Sequence, residues 1–237
     1  MKIGFFVTCL VDTLRPEIAV ASIKLLEDAN CDVHVPSQQT CCAQIAFNNG
    51  DLETSKNIAR NVINVFEPFD YLVAPSGSCL AMIKVHYPEL FKDEPKMLER
   101  ANNLSEKSYE ILTFLNDILD IKINKKLPAT VTYHDSCSGL RELGIKSQPR
   151  KLLSQIKDLK ITEMHEPEVC CGFGGTFSVK FPDISAELGR DKLGWIQESK
   201  AEYVIANDVS CLMHLEGLLK RERIPIETMH LAELLVK

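Results

Sequence analysis

No run of about 18 uncharged apolar residues occurs in the 237-residue chain, so no segment is built to span a bilayer as a helix. An excess of positive charge is also missing. Lys and Arg total 27 against 33 Asp and Glu, a formal net charge of −6. That balance argues against a nucleic-acid surface and against a polybasic membrane anchor. Gly and Pro, at 11 each, are too few for a collagen-like or Pro-rich chain. The segment Met1 to Glu17 holds one lysine and a short apolar run, meets Asp12 and Arg15 early, and offers no small-residue cleavage site. It reads as an opening β-strand and not as a signal peptide. With 45% hydrophobic and 25% charged residues, the remainder is an ordinary globular composition. The expected compartment is the cytoplasm.

Cysteine is the exception. Nine are present, at positions 9, 31, 41, 42, 79, 137, 170, 171 and 211. They are too sparse for a small disulfide scaffold, and the chain is too long to need one. In a reducing compartment, clustered cysteines point to metal or redox chemistry. Cys31 opens an apolar segment and reads as a small buried hydrophobe. The other eight form two quartets of one design: Cys9, Cys41, Cys42, Cys79 and Cys137, Cys170, Cys171, Cys211. Corresponding members are offset by 128, 129, 129 and 132 residues.

The flanks repeat too. An apolar run precedes both Cys9 and Cys137, and the stretch Asp70 to Ser78 enters Cys79 much as Glu202 to Ser210 enters Cys211. This reads as an internal duplication with domains at 1–125 and 126–237, joined through the Lys- and Asn-rich segment Ile121 to Pro128. Each repeat is long enough for its own packed core. Periodicity predicts strands at 2–8, 31–35, 70–75, 129–134, 159–164, 203–207 and 225–229. It predicts helices at 15–29, 51–66, 103–119, 149–157, 182–199 and 209–221, and a closing helix. Pro16 and Pro182 fall in first helical turns, where a missing N–H costs nothing. The class is α/β: two tandem pseudo-repeat domains, each a mostly parallel sheet flanked by helices.

In such sheets the loops after the strands share one edge, and ligands bind there. Each quartet lies in those loops, so four thiols are expected at one edge of each half. Four thiolates suit zinc or an iron–sulfur cluster. The C-x2-4-C pairs of zinc fingers and the C-x2-C runs of ferredoxins are absent. Adjacent cysteines sit more easily on two irons of one cluster than on one tetrahedral ion. Candidate metal ligands are therefore Cys9, Cys41, Cys42, Cys79, Cys137, Cys170, Cys171 and Cys211. His214, three residues past Cys211, is a further candidate. Gly172, Gly174 and Gly175 allow close backbone approach to such a centre. His134, with Asp135, precedes Cys137 and is placed to hydrogen-bond a ligand or relay a proton.

The segment Cys170 to Lys180, read CCGFGGTFSVK, together with Pro75 to Cys79 and Ser210 to His214, resembles the cysteine-rich CCG family. That family includes the B subunit of heterodisulfide reductase and the iron–sulfur subunit of glycolate oxidase. A closer likeness is to iron–sulfur subunits of lactate-utilization systems, and it covers nearly the whole chain. The resemblance implies paired α/β cysteine-rich domains that carry electrons through one or two clusters, 4Fe–4S among the candidate types. It implies work beside a ferredoxin-like iron–sulfur subunit and a third lactate-utilization subunit, in oxidising L-lactate to pyruvate. The chain departs from the wider pattern. The first half reads Cys41-Cys42-Ala43, and Met82 and His214 stand where a fifth cysteine would close each site. Zinc in one half therefore stays open. No flavin or nicotinamide fingerprint occurs, and no residue is assigned as a base for lactate. The competing functions are a thiol–disulfide oxidoreductase and a zinc-stabilised assembly subunit.

Overall fold

The computed structural model describes residues Met1 to Lys237. It contains two four-stranded sheets, all of whose strand pairs are parallel. The first has the order β2-β1-β3-β4, from β1 (Lys2–Phe5), β2 (Asp32–His34), β3 (Tyr71–Ala74) and β4 (Ser108–Glu110). The second has the order β6-β5-β7-β8, from β5 (Lys126–Tyr133), β6 (Lys157–Ile161), β7 (Tyr203–Ala206) and β8 (Glu227–His230). The register repeats as well. Ile3, Gly4 and Phe5 pair with Tyr71, Leu72 and Val73, and Val131, Thr132 and Tyr133 pair with Tyr203, Val204 and Ile205. The α/β class and its doubling are thus present down to the pairing of single residues.

Alternation along the strands divides the core. Ile3, Phe5 and Val73 face one side with Val131, Tyr133 and Ile205, in a single cluster shared by both sheets. Residues of Pro16–Asp28, Ser147–Leu153 and Leu231–Val236 complete it. Phe6, Leu72 and Ala74 face the outer helices of the first half, and Val204 faces those of the second. The reading of two separate cores is therefore corrected. Each half has its own outer core, but the largest is held in common, because the helix Pro16–Asp28 of one half packs on the helix Leu231–Val236 of the other. Gly4 is required on the outer face of β1, where a Cβ would lie 2.7 Å from the Phe69 ring.

Three further readings change. The helix read over 103–119 is two helical pieces separated by β4. Ser108 and Glu110 are buried polar residues on a three-residue strand, and the apolar residues either side keep a helical phase across it. Glu110 restarts the chain as a cap, its Oε2 accepting from the N–H groups of Leu112 (2.9 Å) and Thr113 (3.3 Å). The helix read over 149–157 is Ser147–Leu153, because β6 already begins at Lys157. The connection read as Ile121 to Pro128 ends earlier, since β5 starts at Lys126; its register with β6 shifts between Lys126 and Ala129, around Pro128, which has no N–H to give the ladder. We propose that the domain boundary lies between residues 125 and 126, where β5 begins.

Burial pushes the Glu110 carboxyl up to about 8 from its ordinary 4.5. The folded chain then keeps a proton that the unfolded chain releases. Glu110's contribution to stability is full below about pH 4.5 and is lost as pH rises towards 8. Glu110→Gln holds a neutral side chain of the same shape. Denaturant melts from pH 5 to 8 are expected to show a shallower fall in stability for that variant, and a variant more stable than the parent at pH 8.

Candidate metal centre

The strand order reverses between β1 and β3 in the first sheet and between β5 and β7 in the second. The loops leaving those strands are where a doubly wound sheet opens a crevice. Cys9 starts the helix Cys9–Leu14, and Cys137 starts Cys137–Arg141. Cys79 lies in Gly77–Ala81 and Cys211 in the first turn of Val209–Arg221. Cys41 and Cys42 lie between β2 and the helix Gln44–Asn48, and Cys170 and Cys171 between β6 and the helix Thr176–Lys180.

The halves then exchange contacts. The helix from Cys9 meets the helix from Val209, and the helix from Cys137 meets the helix from Gly77. Gly77 and Gly139 allow the second crossing, since a Cβ on Gly77 would stand 3.1 Å from the Gly139 Cα. A polar seam ties the crossing. Asp208 Oδ2 accepts from the Ser78 N–H (2.9 Å) and the Ser76 hydroxyl (3.2 Å), and the Ser136 hydroxyl donates to Asn207 Oδ1 (3.0 Å). The consequence is that all eight repeat cysteines line one cavity of about 400 Å³. Sequence reasoning placed each quartet at the edge of its own half; the structure turns the two edges towards each other.

Within each quartet the thiols neighbour one another in sequence order, Cys9–Cys41–Cys42–Cys79 and Cys137–Cys170–Cys171–Cys211, closely enough for one to shift the acidity of another. In the first, donation by Cys42 and Cys9, and then by the Ala43 and Cys42 N–H groups, lowers the pKa of Cys41. The donors are pushed up in turn: Cys9 and Cys42 by bonding to Cys41 and by burial. In the second, Cys137 is raised by its bond to Cys170 and by burial. Donation by Cys171 works to lower Cys211, but burial and the adjacent Asp208 carboxylate outweigh it. Several of these protons must leave before the thiols act as ligands, so a cation has to supply the opposing charge.

The adjacent cysteines sit on matching turns. Gly172 follows Cys171 at φ +94°, and its N–H donates to Cys170 Sγ at 3.3 Å. Ala43, at the corresponding place, takes φ +73°. The first half therefore keeps the left-handed turn without the glycine, at about 1–2 kcal/mol of backbone cost. Gly174 and Gly175 also have positive φ and line the cavity.

Other sequence candidates separate. His134 is fully buried at the end of β5, and its ring lies with Cys171 and Cys211 so that the three donor atoms are within 4.8 Å of one another. Neither of its ring nitrogens makes a well-formed hydrogen bond, and the Pro167 carbonyl is the one acceptor beside the ring. Burial, and then the Lys192 cation, lowers its pKa to about 3, so the imidazole is neutral and has a free lone pair. Leaving such groups unsatisfied costs about 1–3 kcal/mol each. His214 does not face the thiols; it lines a separate cleft with Ser185 and Pro182. Met82 is buried in the outer core of the first half, and Cys31 in the shared core. Sequence reasoning missed Lys192, a fully buried lysine whose Nζ donates to the Glu166 carbonyl at 2.6 Å. Burial outweighs the attraction of Cys171, Cys170 and Cys211 and lowers its pKa to about 8. One lysine on an amphipathic helix gives no sequence signal. Asp208 did give one, as a cap before the helix holding Cys211.

The donor set is eight thiols and one neutral imidazole, on backbone turns that give N–H groups to sulfur. It fits soft-ligand metals, iron–sulfur or zinc. A doubled parallel α/β unit with its thiols gathered at the strand ends defines a two-domain cysteine-rich protein. The chain belongs to the cysteine-rich domain family, CCG, which matches residues 3–84 and again 131–216. It is similar to lactate utilization protein A of Macrococcus caseolyticus, 42% identical over 236 residues, which are 99% of this chain and 96% of that protein. The protein of that name from Bacillus pumilus is 44% identical over 236 residues, 99% of each chain. That from Geobacillus kaustophilus is 41% identical over 236 residues, 99% of this chain and 98% of its own. Among solved structures, a hypothetical protein from Helicobacter pylori superposes with a TM-score of 0.73 at 10% identity, over 99% of this chain and 48% of that one. That likeness concerns the fold alone.

Proposed function

We propose that the chain is an electron-transfer subunit in the oxidation of L-lactate to pyruvate, with one or two iron–sulfur centres on its thiol quartets. The observation that carries this reading is two complete quartets around one cavity. The names of the relatives support the lactate assignment, and the letter in those names supports a system of several components. The partners we infer are a ferredoxin-like iron–sulfur subunit and a third lactate-utilization subunit. No helix is long and apolar enough to cross a membrane, and we place the chain in the cytoplasm.

Cys9, Cys41, Cys42 and Cys79 would hold one centre, and Cys137, Cys170, Cys171 and Cys211 the other. An iron–sulfur cluster supplies reversible one-electron storage when bound. The Gly172 N–H, aimed at Cys170 Sγ, stabilises thiolate charge, and buried Lys192 offsets it nearby. Cys42, Cys79, Cys171 and Cys211 are buried while Cys9 is exposed, so an electron has a short route from the thiol set to the surface. The carbon chemistry of lactate we assign to a partner.

Zinc in the second half is the second reading, favoured by the compactness of the His134, Cys171 and Cys211 group, within 4.8 Å. One experiment separates the two: iron, zinc and acid-labile sulfide per chain on protein made and kept without oxygen. Iron with matching sulfide supports the proposal, as does bleaching of the visible absorption by L-lactate once the partner subunits are added. Zinc without sulfide rejects it.

A further inference from the structure

The two halves differ at one buried position beside the thiols. Corresponding residues at the ends of β1 and β5 are offset by 128, as Cys9 and Cys137 are, and the offset pairs His134 with Phe6. Both side chains are fully buried. Phe6 packs edge-on against Phe66, with ring centroids 5.5 Å apart, in the outer core of the first half. An apolar ring thus serves this place in the fold, and packing gives no reason for an imidazole in the second half. His134 makes no well-formed hydrogen bond at either ring nitrogen, with only the Pro167 carbonyl beside the ring, and it stands within 4.8 Å of Cys171 Sγ and Cys211 Sγ.

We propose that His134 is a nitrogen ligand to the metal held by the second quartet, so that the two centres have different donor sets: thiolates alone in the first half, thiolates and one imidazole in the second. A buried neutral imidazole with a free lone pair is a ready ligand, and coordination satisfies the nitrogen the protein leaves bare. An imidazole added to the four thiolates leaves the net charge of its centre unchanged but alters the donor strength at its iron, so the two halves would hold electrons at different potentials. The assignment rests on the metal-binding reading proposed above.

The test uses the full chain, prepared without oxygen and loaded with ferrous iron and sulfide or with zinc. No histidine lines the cavity itself, and His134 is the one histidine grouped with the thiols, behind Cys171 and Cys211, so a histidine nitrogen at the metal is a signature of His134. It is read as nitrogen hyperfine coupling in pulsed EPR for iron, or as imidazole scattering in X-ray absorption for zinc. The parent is expected to show it. His134→Phe, the residue already used in the other half, and His134→Gln are expected to lose it, and to release second-half metal to a chelator at least about tenfold faster. The same signature in both variants, or a loaded parent without it, overturns the assignment while leaving the metal-binding reading intact. A parent that takes up neither metal overturns both.

Discussion

A chain carrying Cys171→Ser is expected to lose the metal we propose for its second half and to keep that of the first. Cys171 is buried in the middle of its quartet, between the thiols of Cys170 and Cys211, with His134 alongside. A serine hydroxyl is a poor ligand for iron or zinc at neutral pH, and the hard oxygen does not replace a thiolate. Metal bound by the second half is expected to fall by about tenfold or more. Cys31→Ser is the control. Cys31 is buried in the core shared by the sheets and does not line the cavity. That variant is expected to keep its full metal content and to lose about 1–3 kcal/mol of stability from a buried hydroxyl. Metal analysis and denaturant melts of the two variants side by side check both statements.

Gly172→Ala is expected to cost about 3–5 kcal/mol and to impair the second-half site with it. Two effects add. Gly172 has φ +94°, which disfavours any Cβ, and the Cβ would lie 2.4 Å from the Ser185 carbonyl oxygen. Backbone cannot step aside as a flexible side-chain end can. The first half supplies the comparison, because Ala43 takes φ +73° at the corresponding turn. The left-handed turn alone is therefore tolerable to alanine. What distinguishes position 172 is the carbonyl of the helix Pro182–Glu198 pressed against it. Urea melts of Gly172→Ala check the magnitude.

These cases mark how far the sequence is legible. The quartets are readable because loops after parallel strands must share an edge, and a constant offset survives insertion on the surface. The strand β4 was hidden because three residues carry too little periodicity to interrupt the helical phase on both sides. The shared cavity was hidden for a different reason. Strand and helix patterns specify each sheet, but the facing of two sheets depends on single close approaches, here Gly77 against Gly139, and on the Asp208 seam. His214 illustrates the limit of spacing: three residues past Cys211 on a helix, it turns towards Ser185 and away from the thiols. His134 is nearer to them although it lies on a strand end, because the end of β5 brings its ring beside Cys171 and Cys211.

The most direct test of the central claim is the content of iron and acid-labile sulfide per chain in protein that has never met oxygen. An iron–sulfur electron carrier predicts about four or about eight irons with sulfide in equal number, according to whether one quartet or both is filled. Zinc without sulfide, or thiols that take up neither, contradicts it.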